Sequence, residues 1–242
     1  MNENEVAAIE RIVESKQIIE VNGLTYARAD YRVVEPRVKR PDVVMMNTLL
    51  SLAEFLKNTE VNDVAFGLFL LIDNNMEVSL YSGVDMRDSK RTLLANASNQ
   101  FRQFEFDKFH SSEYFNIMLQ TRFVYEDGDA KKLFATMSKL QIDEGIKLSD
   151  DGMTQQVTIK RGMSAASAEA EAVKTRMTLS PYRIFPECDQ PRSEFLVRIK
   201  GSKEEGAHVG LWETDGGMWT FQAKQIIHDK LKSLGVLIPI YC

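Results

Sequence analysis

Phe195-Leu-Val-Arg-Ile-Lys200 and Ala207-His-Val-Gly-Leu-Trp-Glu213 decide the fold class of this chain. Both are short runs, rich in branched and aromatic residues, and read as strands. Thr175–Leu179 before them and Met218–Gln222 after them read the same way, with a turn at Asp215-Gly216-Gly217. From Gln222 to Leu234 the period changes: Ile226, Ile227, Leu231 and Leu234 recur at helical spacing. Val236–Tyr241 reads as a terminal strand. Strand runs separated by isolated helices imply an α+β protein, mostly antiparallel sheet with several packed helices.

The rest of the chain fits that class. Glu5–Gln17 places Val6, Ile9, Ile12 and Val13 on one helical face. Strands are expected at Ile18–Asn22, Leu24–Tyr26 and Tyr31–Val34. Asp42 is a good N-cap for a helix to about Lys57, with Met45 and Met46 as core filler. Val64–Ile72, a turn at Asp73-Asn74-Asn75 and Met76–Tyr81 read as a hairpin. Further strands are expected at Arg91–Leu94 and Phe101–Phe106. Ser111 or Ser112 caps a helix to about Leu119, and Asp127-Gly128-Asp129 opens another to about Leu140. Gly145–Leu148 and Thr154–Lys160 form a hairpin across Ser149-Asp-Asp-Gly152. Ser164–Ala172 is a low-complexity alanine–glutamate run, read as a mobile loop or exposed helical insertion as readily as a packed helix. It marks the clearest internal boundary. The organisation expected is an N-terminal α+β part, 1–110, and a C-terminal one, 111–242, able to share a core.

The chain has 242 residues, enough to bury a core without covalent staples. Its net charge of −5 argues against dominant nonspecific nucleic-acid binding, although a local basic patch escapes that argument. Two cysteines, Cys188 and Cys242, make no disulfide framework and fit a reducing compartment. The acidic start lacks the pattern of a secretory signal, and no apolar run spans a bilayer, so a cytoplasmic location away from membranes is expected.

Catalytic signatures are weak. His110, His208 and His228 lack metal-ligand spacing, and Asp150-Asp151-Gly152 lacks the rest of a calcium loop, so no metal or other cofactor is expected. There is no nucleophile elbow, Walker loop or dinucleotide fingerprint. Cys188 sits among acidic neighbours that oppose a reactive thiolate. The carboxylates Asp127 and Asp129 are loop residues without an apolar pocket.

Two stretches carry binding chemistry. Arg28, Arg32, Arg37, Lys39 and Arg40, interleaved with Tyr26 and Tyr31, offer forks for phosphate and faces for bases; a solvated strand edge explains them equally simply. Phe101, Phe104, Phe106 and Phe109 suit a core stripe better than a stacking platform. In the C-terminal stretch, Tyr182, Arg183 and Arg192 flank prolines, and Arg198 lies on the next strand. The Asp215-Gly216-Gly217 turn would hold Trp212 and Trp219 near each other as a ligand shelf. The plainer reading is a proline-fixed crossover whose arginines bind local carbonyls and carboxylates.

Leu179, Pro181-Tyr182-Arg183, Phe185-Pro186-Glu187, Gln190-Pro191, Ser193, Phe195, Arg198, Asp215-Gly216-Gly217 and Trp219 together resemble an uncharacterised family of tailed-phage and prophage early-region proteins, often encoded near recombination genes. The likeness covers Ser111–Leu234. Ile184 stands where the family pattern has threonine, and Cys188 where it has an aliphatic residue. The resemblance implies a source and brings no catalytic residues. With the missing catalytic signatures, it leads to the expectation of a non-enzymatic, homo-oligomeric binding protein that inhibits a host defence protein or sequesters a nucleotide signal. The alternatives are an accessory holding single-stranded DNA on the Arg28–Arg40 loop, and a virion structural protein.

Overall fold

The computed structural model describes residues 7, 18–21, 24–27, 32–33, 40–57, 67–86, 89–125, 128–140, 146–150, 154–160, 168–202 and 206–242. The chain divides into two units, Met1–Asp42 and Val43–Cys242. In the first, β1 (Ile18–Val21), β2 (Leu24–Ala27) and β3 (Arg32–Val33) form an antiparallel sheet in that order. The helix expected over Glu5–Gln17 lies, Ala7 apart, outside the described residues.

The second unit holds the α+β architecture. Its strands β4 (Val44–Met46), β5 (Phe69–Asn74), β6 (Glu77–Tyr81), β7 (Leu93–Ser98) and β15 (Ile240–Tyr241) form a sheet in the order β15-β5-β6-β7-β4. The two outer strands pair parallel to their neighbours, and the three inner ones are antiparallel. Leu70, Ile72, Val78, Leu80, Ala95 and Ala97 fill one face, as period-two alternation requires. Two helices, α1 (Leu49–Lys57) and α4 (Met218–Ser233), bring Leu49, Leu52, Ala53, Ala223, Ile227 and Leu231 into the same core.

A second sheet runs β12-β13-β14-β8, antiparallel throughout: Arg176–Leu179, Ser193–Ser202, Gly206–Glu213 and Phe109–Ser111 respectively. Two helices, α2 (Ser112–Arg122) and α3 (Gly128–Leu140), close its inner face. Phe115, Leu119, Leu133 and Met137 meet Phe195, Val197, Val209 and Leu211 there. Each such buried side chain contributes roughly 1.5–3 kcal/mol. Ser111 caps α2 as expected, its side chain accepting from the Tyr114 amide. A third sheet, β11-β10-β9, comprises Ala168–Lys174, Thr154–Lys160 and Ile146–Asp150. Because α4 and β15 return to the sheet of residues 44–98, the two ends of this unit share one core.

Several expected elements are corrected. The helix placed after Asp42 starts only at Leu49, with Thr48 Oγ1 accepting from the Ser51 amide. Val44–Met46 instead pairs with β7, and Met45 is 66% exposed rather than core. Met218–Gln222 is the first part of α4, not a strand, because Gly217 turns the chain in the left-handed region and Asp215 Oδ1 accepts its amide. Phe101–Phe106 has no regular structure, yet Phe104 is buried in the second core. The strand expected at Arg91–Leu94 runs from Leu93 to Ser98, and the terminal strand is confined to Ile240–Tyr241. The strand of the Asp73-Asn74-Asn75 turn continues through Asn74, so the turn falls at Asn75–Met76. The alanine–glutamate run is β11 from Ala168 onward, paired residue by residue with β10; Ser164–Ser167 lie outside the described residues.

Candidate functional site

Ser180–Arg192, the proline-bounded crossover between β12 and β13, is the keystone of the second unit. Its start is zipped to the end of α2: the Val124 amide donates to Ser180 O at 2.9 Å, and the Tyr182 amide to Arg122 O at 2.8 Å. Farther on, Ile184, Phe185 and Cys188 enter the core of the five-stranded sheet. Gln190 clips the crossover from within. Its Oε1 accepts from the Arg183 and Ile184 amides at 2.8 and 3.2 Å, and its Nε2 donates to Phe185 O and Cys188 O. Glu187 reaches α1, where Oε1 accepts from the Leu49 amide at 2.5 Å and the Leu50 amide at 3.4 Å. A carboxylate there satisfies free helix amides and complements the helix dipole.

Arg183 lies beneath this crossover, fully buried. Its guanidinium sits over the rings of Trp219, Phe106 and Phe195, at 4.3, 4.8 and 5.2 Å from their centroids. Nη2 meets Glu213 Oε1 at 2.5 Å, and Trp219 Nε1 donates to Glu213 Oε2 at 3.2 Å. Burial lowers the Arg183 pKa to about 10, while Glu213 and Asp215 oppose that shift, so the group stays charged at neutral pH. This is a buried clamp between the crossover, the end of β14 and the start of α4. Arg183 therefore acts behind the surface, against a half-buried Trp219.

What the crossover presents to solvent is a shallow hollow of about 360 Å³, lined by Val124, Ser180, Tyr182, Cys188, Asp189, Gln190 and Arg192. Tyr182, Asp189 and Arg192 are exposed at its rim. The Cys188 thiol is pushed up to about 12, by burial first and by Glu187 next, so it lines the floor as a small apolar group.

The structure thus brings Tyr182 and Arg192 together at the surface and sets buried Arg183 against half-buried Trp219. It separates the two tryptophans. Glu213, which Trp219 contacts, and Trp212 are neighbours on β14 and point to opposite faces of the sheet. Trp212 packs instead against Phe109, with ring centroids 5.0 Å apart, and Arg198 lies on that same outer face. Of the basic loop, Arg28, Tyr31, Arg37 and Lys39 lie outside the described residues; Arg32 falls in β3 and Arg40 is half-buried. Asp129 has a packing role, accepting from the Thr178 amide at 3.1 Å. Among the described residues no cluster of potential ligands is fit to hold a metal ion, and no helix is long and apolar enough to cross a membrane. Gln190, Glu187 and Glu213 had no role assigned from the sequence; Glu187 and Gln190 stood there only in the family-like pattern, and Glu213 only as the end of a strand.

Compared with protein-family models, curated proteins and solved structures, the chain matches none.

Proposed function

We propose that this chain acts by binding rather than by catalysis, as a phage-encoded inhibitor that docks a host defence protein on the hollow at Tyr182 and Arg192. One observation carries the reading: an exposed tyrosine and an exposed arginine line one hollow on a crossover whose backbone Gln190 clips with both ends of its amide. Tyrosine and arginine are enriched among the residues that dominate protein interfaces. A backbone fixed in advance loses little conformational entropy on association. The phage resemblance supplies the host protein as the partner class.

The test is affinity capture from host lysate, followed by native mass spectrometry, with the wild-type chain and Tyr182→Ala and Arg192→Ala variants. The expected result is one stoichiometric host protein, lost in both variants while their melting temperatures stay near wild type. A retained small nucleotide would move the reading to sequestration of a signal. Equal capture by all three proteins would remove the hollow from it.

A further inference from the structure

The outer face of the four-stranded sheet carries a second arrangement, independent of the hollow. Period-two alternation puts Phe195, Val197, Ile199, Val209 and Leu211 inward. Leu196, Arg198 and Lys200 of β13, His208, Gly210 and Trp212 of β14, and Phe109 of β8 therefore share the other face. The indole of Trp212 lies directly over Gly210: a Cβ there would stand 2.4 Å from Trp212 Cη2. Glycine is thus what lets the ring lie down along the strand. Gly210 pairs with Arg198 on one side and Phe109 on the other, so the indole lies between them. Phe109 meets it edge-on, at 69°, and Lys200 Nζ sits 4.4 Å from the Phe109 centroid. Neither ring is fully buried, and Lys200 is exposed. Arg176 on β12 lies on this face too, paired with Glu194 at 2.9 Å.

We propose that this face binds single-stranded nucleic acid, with bases stacking on Trp212 and phosphates meeting Lys200. Local charge complementarity selects the occupant. The chain carries a net charge of −5, yet this sheet face groups cations around aromatic rings. A flat ring offers a face to any base, and cations beside it meet the backbone, the combination that single-stranded binders use. Paired bases in a duplex hide the faces that Trp212 would take.

The test is fluorescence anisotropy of a labelled oligothymidylate with the full chain, at about 50 mM and about 200 mM salt. Binding is expected at low salt, with duplex DNA of the same length weaker. Trp212→Ala should weaken it about tenfold or more, and Trp212→Phe should restore most of it. Lys200→Ala, at an exposed position, should lower the salt slope by about 0.7 for each phosphate that is no longer neutralised. Circular dichroism checks that each variant folds; if Trp212→Ala does not, Lys200→Glu, expected to abolish binding, takes its place. No binding at low salt overturns the proposal. So does equal affinity for heparin or duplex, which would mean charge alone, or unchanged affinity in folded Trp212→Ala. Because Tyr182 and Arg192 lie elsewhere, their variants should leave this binding intact.

Discussion

Glu213→Gln tests the buried clamp most directly. The substitution keeps the size of the side chain and leaves an oxygen for Trp219 Nε1, but removes the charge 2.5 Å from Arg183 Nη2. The Arg183 side chain is 2% exposed, so water cannot replace the missing partner, and Asp215 is the other negative charge that acts on it. Removing one member of a buried pair costs roughly 3–5 kcal/mol. Two features pull the value toward the lower end. The Glu213 side chain is 25% exposed, which already screens its attraction, and three rings continue to hold the cation. The expected loss is roughly 3 kcal/mol, or a fall of about 6–12 °C in Tm for a chain of this size. Arg183→Met should also destabilise. The double variant should cost less than the sum of the two by at least about 2 kcal/mol, because no charge is then left buried alone. Urea denaturation followed by circular dichroism measures all three. A loss below about 1 kcal/mol for Glu213→Gln, or strict additivity, would refute the clamp.

Three further outcomes are expected. Iodoacetamide should label only Cys242 in the native protein, since Cys188 is buried and its thiol is held up at about 12; two adducts by intact mass before denaturation would contradict this. Gln190→Ala leaves the Arg183 and Ile184 amides without their acceptor and should cost roughly 2–4 kcal/mol, with faster hydrogen exchange at those two amides in particular. His110 is kept below its ordinary range by burial first and by Lys108 next, so the native state favours the neutral ring. The unfolded chain binds the proton first. Stability present above about pH 6.5 should therefore fall as pH drops through that value toward the lower native one. His110→Asn should flatten this part of a Tm–pH curve.

Much of the fold was legible because period and punctuation agreed. Ser111 as a helix cap, the alternating β6, and the strands β13 and β14 all follow local rules that tertiary contacts reinforce. The errors arose where two rules disagreed. Val43, Met46, Leu49 and Leu50 fit a helical stripe, but Thr48 is the better cap and β7 offers an edge to Val44–Met46. Ala168-Glu-Ala-Glu-Ala172 has helical composition but a period of two, and in β11 the period wins. Trp219-Thr220-Phe221 has strand composition, and Gly217 overrides it. Within the site, Tyr182 and Arg192 were visible as exposed chemistry bounded by prolines. That a crossover arginine binds a carboxylate was the plainer reading of the sequence; which partners Arg183 takes was not legible, because Phe106, Phe195, Glu213 and Trp219 come from four separate places in the chain. Only the closed sheet brings them together.

The contact of Glu187 with the start of α1 has a consequence for biosynthesis. Residues 44–98 supply most of the five-stranded sheet, but the acceptor for the first amides of α1 arrives 138 positions after Leu49, and the strand beside β5 comes later still, at Ile240. At about 5–20 residues per second, a ribosome needs roughly 7 to 28 seconds to cross those 138 positions. During that time, the early strands stand with one edge unclaimed and one helix end unsatisfied. The nascent chain thus has a long window in which a chaperone has something to hold, and a ribosome stalled before Ile240 would carry a sheet that lacks its last strand.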